Sequence, residues 1–193
     1  SWMWKRGQGF DVVTYTGDDA VFKDIPHSLG TTPEMIWVKC RDDNGQWVVG
    51  HKGRNGGTNP WNYFSALNGN GADEDNIMFN DTPPTSTHFT VGTDNDVNDT
   101  DTYIAMLFSS VSGISKCGYY TGTAASNTIT TGFQPRFVFI KRTDSTGSWM
   151  VHDTVRGFTA GDDPYLRFNS DAAQSNFGVG TVISTGFIVS TTD

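Results

Sequence analysis

Short apolar runs separated by Gly, Asn, Asp, Ser and Thr recur along the whole chain. Residues 10–16 alternate loosely and are rich in β-branched and aromatic side chains, the pattern of a half-covered strand. Residues 35–38 and 137–140 are uninterrupted apolar runs of four, which strands adopt when both faces are covered. Both are expected as central strands. Asp42-Asp43-Asn44-Gly45 and Asp144-Ser145-Thr146-Gly147 follow them, with Gly free to take a positive φ and Asp or Asn able to cap the turn. Apolar residues resume at 47–49 and 149–151, so each run should return as an antiparallel hairpin. Further strands are expected at 62–67, 77–80, 89–93 and 103–109, bringing the first half to roughly seven, enough for a two-sheet sandwich.

The chain also repeats itself. Gly30-Thr31-Thr32-Pro33-Glu34-Met35-Ile36-Trp37-Val38-Lys39 aligns without a gap, at an offset of 102, with Gly132-Phe133-Gln134-Pro135-Arg136-Phe137-Val138-Phe139-Ile140-Lys141. Asp42, Gly45, Trp47 and Val49 continue onto Asp144, Gly147, Trp149 and Val151, making seven identities in twenty columns. Tyr15-Thr16-Gly17 corresponds to Tyr120-Thr121-Gly122, and 86–91 to 184–189, so the offset drifts from 105 to 98 within loops, where insertions cost least. The expected fold is therefore all-β, two tandem repeats forming antiparallel, jelly-roll-like β-sandwich domains, with a single shared, pseudo-symmetric sandwich as the alternative. Residues 1–9 read as a linker from a longer chain, 10–112 as the first repeat, and 113–193 as a second that stops before the counterpart of the 101–108 strand. Either the parent chain or a neighbouring subunit is expected to cover the sheet edge left bare.

Composition supports this reading and removes several functions. Twenty-two glycines and seven prolines among 193 residues suit many strands joined by turns. Thirteen basic against 21 acidic residues leave a formal charge of -8, which repels phosphate backbones and anionic lipid, so neither nucleic acid nor membrane is an expected partner. No apolar run approaches the roughly 20 residues a bilayer-spanning helix needs. Cys40 and Cys117 are too few for a disulfide scaffold and are expected to be free thiols.

Candidate chemistry is sparse. The chain has no Gly-x-Ser-x-Gly, no Walker loop and no third glycine after Gly7-Gln8-Gly9, and its four histidines have no metal-ligand spacing. No catalytic residue is assigned. Asp94, Asp96, Asn98 and Asp99 place oxygen ligands close together, as a Ca2+ loop would, although the EF-hand pattern fails at Asp99 and at Ala105. Ca2+ is the one cofactor considered; a solvated turn is the plainer alternative. Trp61, Asn62 and Tyr63 follow the Gly- and Asn-rich stretch 53–60, and an amphipathic ring beside amides suits a sugar, whose C–H face it covers. Core packing competes for Trp61, Tyr63 and Phe64, and accounts for Trp47 and Trp149, which recur beside similar turns.

Phe10-Asp11-Val12-Val13-Thr14-Tyr15-Thr16-Gly17, His27-Ser28-Leu29-Gly30-Thr31-Thr32-Pro33-Glu34-Met35-Ile36-Trp37-Val38-Lys39, Phe89-Thr90-Val91-Gly92-Thr93 and residues 132–144 together resemble a domain of marine bacteriophage virion proteins, of the cyanophage type. The resemblance covers nearly the whole chain. It implies a place on the virion exterior, in a tail fibre or decoration protein, as a homo-oligomer, by analogy a trimer, beside other virion proteins. The expected function is structural, with host-surface polysaccharide as ligand. A depolymerase or lyase, or the carbohydrate-binding module of one, is the alternative on the same architecture.

Overall fold

The computed structural model describes residues 5–159, 161–178 and 180–190; the first four residues of the expected linker and the last three of the chain lie outside these. The first half contributes β1 (Phe10–Thr16), β2 (Lys23–Pro26), β3 (Met35–Cys40), β4 (Trp47–His51), β5 (Tyr63–Ala66), β6 (Glu74–Asp75), β7 (His88–Val91) and β8 (Thr102–Phe108), with a four-residue helix α1 (Asn95–Asn98) before β8. The second half contributes β9 (Asn127–Thr130), β10 (Phe137–Ile140), β11 (Met150–Asp153), β12 (Pro164–Arg167), β13 (Ser175–Asn176), β14 (Gly180–Ile183) and β15 (Gly186–Val189). They form a six-stranded sheet ordered β1-β8-β3-β4-β5-β6, a four-stranded sheet β10-β11-β12-β13, a three-stranded sheet β14-β15-β9 and the pair β2-β7. The fold is all-β and its sheets are antiparallel.

The two expected hairpins form, and they pair alike. Met35 stands opposite His51 and Trp37 opposite Val49; 102 residues later, Phe137 stands opposite Asp153 and Phe139 opposite Val151. Lys39 explains why a lysine recurs at the end of each first strand: its Nζ donates to the carbonyls of Cys40 and Asp43, closing the turn, as Lys141 Nζ does to that of Arg142. The smaller sheets match as well. Ile25 pairs with Phe89 across β2-β7, and Ile129 with Phe187 across β9-β15.

Alternation along these strands builds three apolar layers. Ile36, Val38, Tyr103, Ala105 and Leu107 point from the six-stranded sheet toward Ile25, Phe89 and Val91 of β2-β7, with Phe79 and Val97 filling the ends. The opposite face of that sheet turns Phe10, Trp37, Val49 and Phe108 toward Trp149, Phe139 and Phe168 of the second half. Val138, Ile140 and Met150 then face Phe158, Phe187 and Val182 across the last layer. Each half stacks a large sheet on a small one, and the two large sheets share the middle core. β3 is buried on both sides, as its uninterrupted apolar run requires.

Residues 77–80 depart from the expected strand. Ile77–Phe79 is a 3-10 turn because the Asn76 side chain accepts a 2.7 Å hydrogen bond from the Ile77 N–H and Asn80 closes the turn at φ 50°. Met78 and Phe79 are thereby driven into the first core. Cys40 faces that core and Cys117 the middle one, so the two thiols sit on opposite faces of the six-stranded sheet, and both are free.

Candidate functional site

The register of the central strands gathers one candidate site. Met35 lies opposite both His51 and Phe108, so the residues one step beyond the sheet, Glu34, Lys52 and Ser109, emerge side by side. Main-chain bonds hold this end shut: Glu34 N–H donates to the Phe108 carbonyl at 2.8 Å and Lys52 N–H to the Glu34 carbonyl at 2.9 Å. These residues form one side of a cleft of about 370 Å³. Thr31, Thr32, Pro33, Trp61, Pro83 and Pro84 also line it.

Inside the cleft, Glu34 Oε1 accepts from Lys52 Nζ, while Oε2 accepts from the Ser110 N–H at 2.6 Å and from the Ser110 hydroxyl. Burial alone would raise the Glu34 carboxyl, but these bonds outweigh it and hold the group below its usual range. Glu34 is thus a fixed anion matched by one cation. Ser110 Oγ is in turn held by the Cys117 N–H at 3.1 Å. Ser109, 3% exposed, is different: its hydroxyl is buried and has no hydrogen-bond partner. Beside the pair, His51 Nδ1 accepts from the Gly53 N–H at 2.9 Å, and burial, together with the Arg54 and Lys52 charges, pushes the imidazole down to about 4.

The expected glycan-binding trio is divided. Trp61 reaches the cleft but is only 5% exposed and packs edge-on against Phe79, with centroids 5.4 Å apart. Gly50 permits this: a Cβ there would sit 2.7 Å from Trp61 Cζ3 and 2.6 Å from Phe79 Cε2. Asn62 is half-buried, and its carbonyl accepts from the Asn76 N–H at 3.0 Å. Tyr63 lines a second, smaller cleft of about 280 Å³ with Asn55, Asp73, Thr143 and Asp144, where the halves meet. The adjoining stretch 53–60 is tied down, because buried Arg54 pairs with Asp73, donates to Ser65 Oγ at 2.6 Å and lies over the Trp149 ring.

Each expected calcium ligand accepts a backbone N–H. Asp94 caps α1 by accepting from the Asp96 N–H at 2.9 Å, and Asp96 accepts from the Gln46 N–H at 2.9 Å, clasping the first hairpin turn. Asn98 is fully buried; its Oδ1 accepts from the Asp18 N–H and its Nδ2 donates to the Ala20 carbonyl. Asp99 accepts from the Thr100 N–H. Among the described residues, no three His, Cys, Asp or Glu side chains converge as metal ligands.

Glu34, Lys52, Ser109 and Ser110 were not singled out by motif. The usable signal lay in the repeat, where Glu34 and Lys52 align with Arg136 and Thr154. Thr154 N–H still donates to the Arg136 carbonyl at 2.9 Å, so the second half keeps the main-chain bond and lacks the carboxylate–ammonium pair.

No curated protein and no solved structure matches the chain. A family model described as a domain of unknown function, DUF7483, matches residues 4–193, and the chain belongs to that family.

Proposed function

We propose that this is a structural recognition domain of a bacteriophage virion appendage, built by duplication, that binds host-surface glycans through the cleft of its first repeat. The cleft carries the reading: four hydroxyl-bearing residues, one balanced ion pair and three prolines line it, a surface on which hydroxyls and C–H faces of a sugar both find partners. The virion setting rests on the family resemblance, which also suggests a trimer among other virion proteins. A charge of -8 suits an exterior part that must not cling to packaged nucleic acid or to anionic lipid. Several copies in one appendage add weak sites into useful avidity.

Binding without turnover is favoured over the depolymerase alternative by the carboxylates. Hydrolysis of glycosidic bonds generally takes two, one of them protonated, whereas among the described residues Glu34 is the one acidic side chain lining the cleft and is held as an anion. A glycan array combined with a reducing-end assay tests the reading. Binding with no new reducing ends or unsaturated uronate is expected. Release of either product, abolished by Glu34→Gln, would make the domain an enzyme; no binding to any glycan would leave a purely structural part.

A further inference from the structure

Resting on that recognition reading, we propose that the cleft selects an uncharged pyranose unit, one per chain, and that the buried Ser109 hydroxyl is a specificity-determining group within it. A hydroxyl shut away from water without a partner is destabilising, and native proteins keep few such groups. Ser109 lines the cleft, so rotation of its side chain toward a bound sugar gives the hydroxyl the partner it lacks, since a serine and a sugar hydroxyl can each donate and accept.

The ion pair gives the charge preference. A carboxylate offers about four lone-pair sites and an ammonium three donors. Lys52, the Ser110 N–H and the Ser110 hydroxyl occupy three of the former, and Glu34 occupies one of the latter. The remaining acceptor and donors suit groups that do both, as hydroxyls do. Among the described residues, no other charged side chain lines the cleft. A uronate or sialate would therefore add an unbalanced anion beside Glu34, in a chain already carrying -8. Pro33, Pro83 and Pro84 supply C–H surface for the ring face, and about 370 Å³ falls in the range of small-ligand pockets. Arg136 and Thr154 replace the pair in the second half, so one site per chain follows.

The test titrates the full chain, by ligand-observed NMR and calorimetry, with neutral methyl pyranosides (gluco, galacto, manno) and with glucuronate, galacturonate and N-acetylneuraminate. At least one neutral sugar should bind with a stoichiometry of one and at least about tenfold more tightly than any acidic one. Ser109→Ala should weaken it about 2- to 10-fold, the worth of one hydrogen bond, while leaving the melting temperature unchanged or higher, because the unpaired hydroxyl is gone. Glu34→Gln should narrow the gap between neutral and acidic sugars, since Lys52 is then unbalanced. Tighter binding of an acidic sugar by the native chain, or neutral-sugar binding indifferent to both substitutions, would overturn the inference while leaving glycan recognition standing elsewhere on the surface. Absence of binding to every sugar, and to the glycan array as well, would overturn the recognition reading itself.

Discussion

Trp37 and Phe139 touch, their ring centroids 5.9 Å apart at 65°, and each occupies the same place in its own hairpin, opposite Val49 and Val151 respectively. Contact between corresponding residues is what a local two-fold arrangement of two similar units produces. Phe168 extends it, lying 6.2 Å from Trp37 and 4.9 Å from Phe139. The middle core is therefore the part of the protein on which both halves depend.

Removing that contact should unfold the halves together. Trp37→Ala is expected to cost about 3 to 5 kcal/mol, and Phe139→Ala, at a half-buried site, the lower end of that range. The double variant should lose about 0.5 to 1.5 kcal/mol less than the sum, the usual worth of an aromatic pair. Urea titration followed by tryptophan fluorescence and far-UV dichroism should show one coincident transition. Two separate transitions would contradict a shared core.

The buried pair of Arg54 and Asp73, with side chains 2% and 7% exposed, makes a sharper case. Asp73→Ala leaves a guanidinium buried without its anion and should cost about 3 to 5 kcal/mol. Arg54→Met combined with Asp73→Leu should recover more than half of that loss, because the desolvation cost disappears with the charges. Urea midpoints of the native chain and both variants decide it.

Acid should weaken the fold before its carboxylates titrate. His152 is fully buried, and burial lowers its pKa despite the opposing charges of Asp163 and Asp153 and a hydrogen bond to the Pro164 backbone. His51 is pushed down to about 4. Both imidazoles are thus neutral when folded, and the unfolded chain binds more protons below about pH 6.5. Their contribution is fully present above that pH and is lost as pH falls toward the folded values, for His51 between about 6.5 and about 4. Melting temperature should decline across this window, less steeply in His152→Phe. A flat profile down to pH 4.5 would count against it.

Asp96→Ala removes the acceptor of the Gln46 N–H and loosens the first hairpin turn. It should lower stability by about 1 to 3 kcal/mol, the cost of an orphaned polar group. The loss should be the same with and without millimolar Ca2+. A Ca2+-induced rise in melting temperature that vanishes in this variant would support the metal reading instead.

How far the sequence carries the fold depends on which residues did the work. The hairpins were legible because Lys39, Asp42, Gly45 and Trp47 each recur, fixing turn and register together. β2 was not, since Lys23–Pro26 holds one buried apolar residue, Ile25, and owes its pairing to β7. Residues 77–80 misled because a capping asparagine outweighed an apolar run. The site was hidden for another reason: Glu34, Lys52 and Ser109 lie far apart in sequence and are joined by strand register, which no local motif encodes. Trp61 was visible as an aromatic, but Gly50 lets it sink into the core, which its own neighbours in sequence do not reveal.

An isotope-labelled full chain titrated with a neutral oligosaccharide identified on the array, followed by amide chemical shifts, tests the central proposal most directly. Saturable shifts confined to the amides around Thr31–Glu34, Lys52 and Ser109–Ser110 are the predicted result. Saturable shifts that cluster on the second half, or along the cleft beside Tyr63, would contradict it.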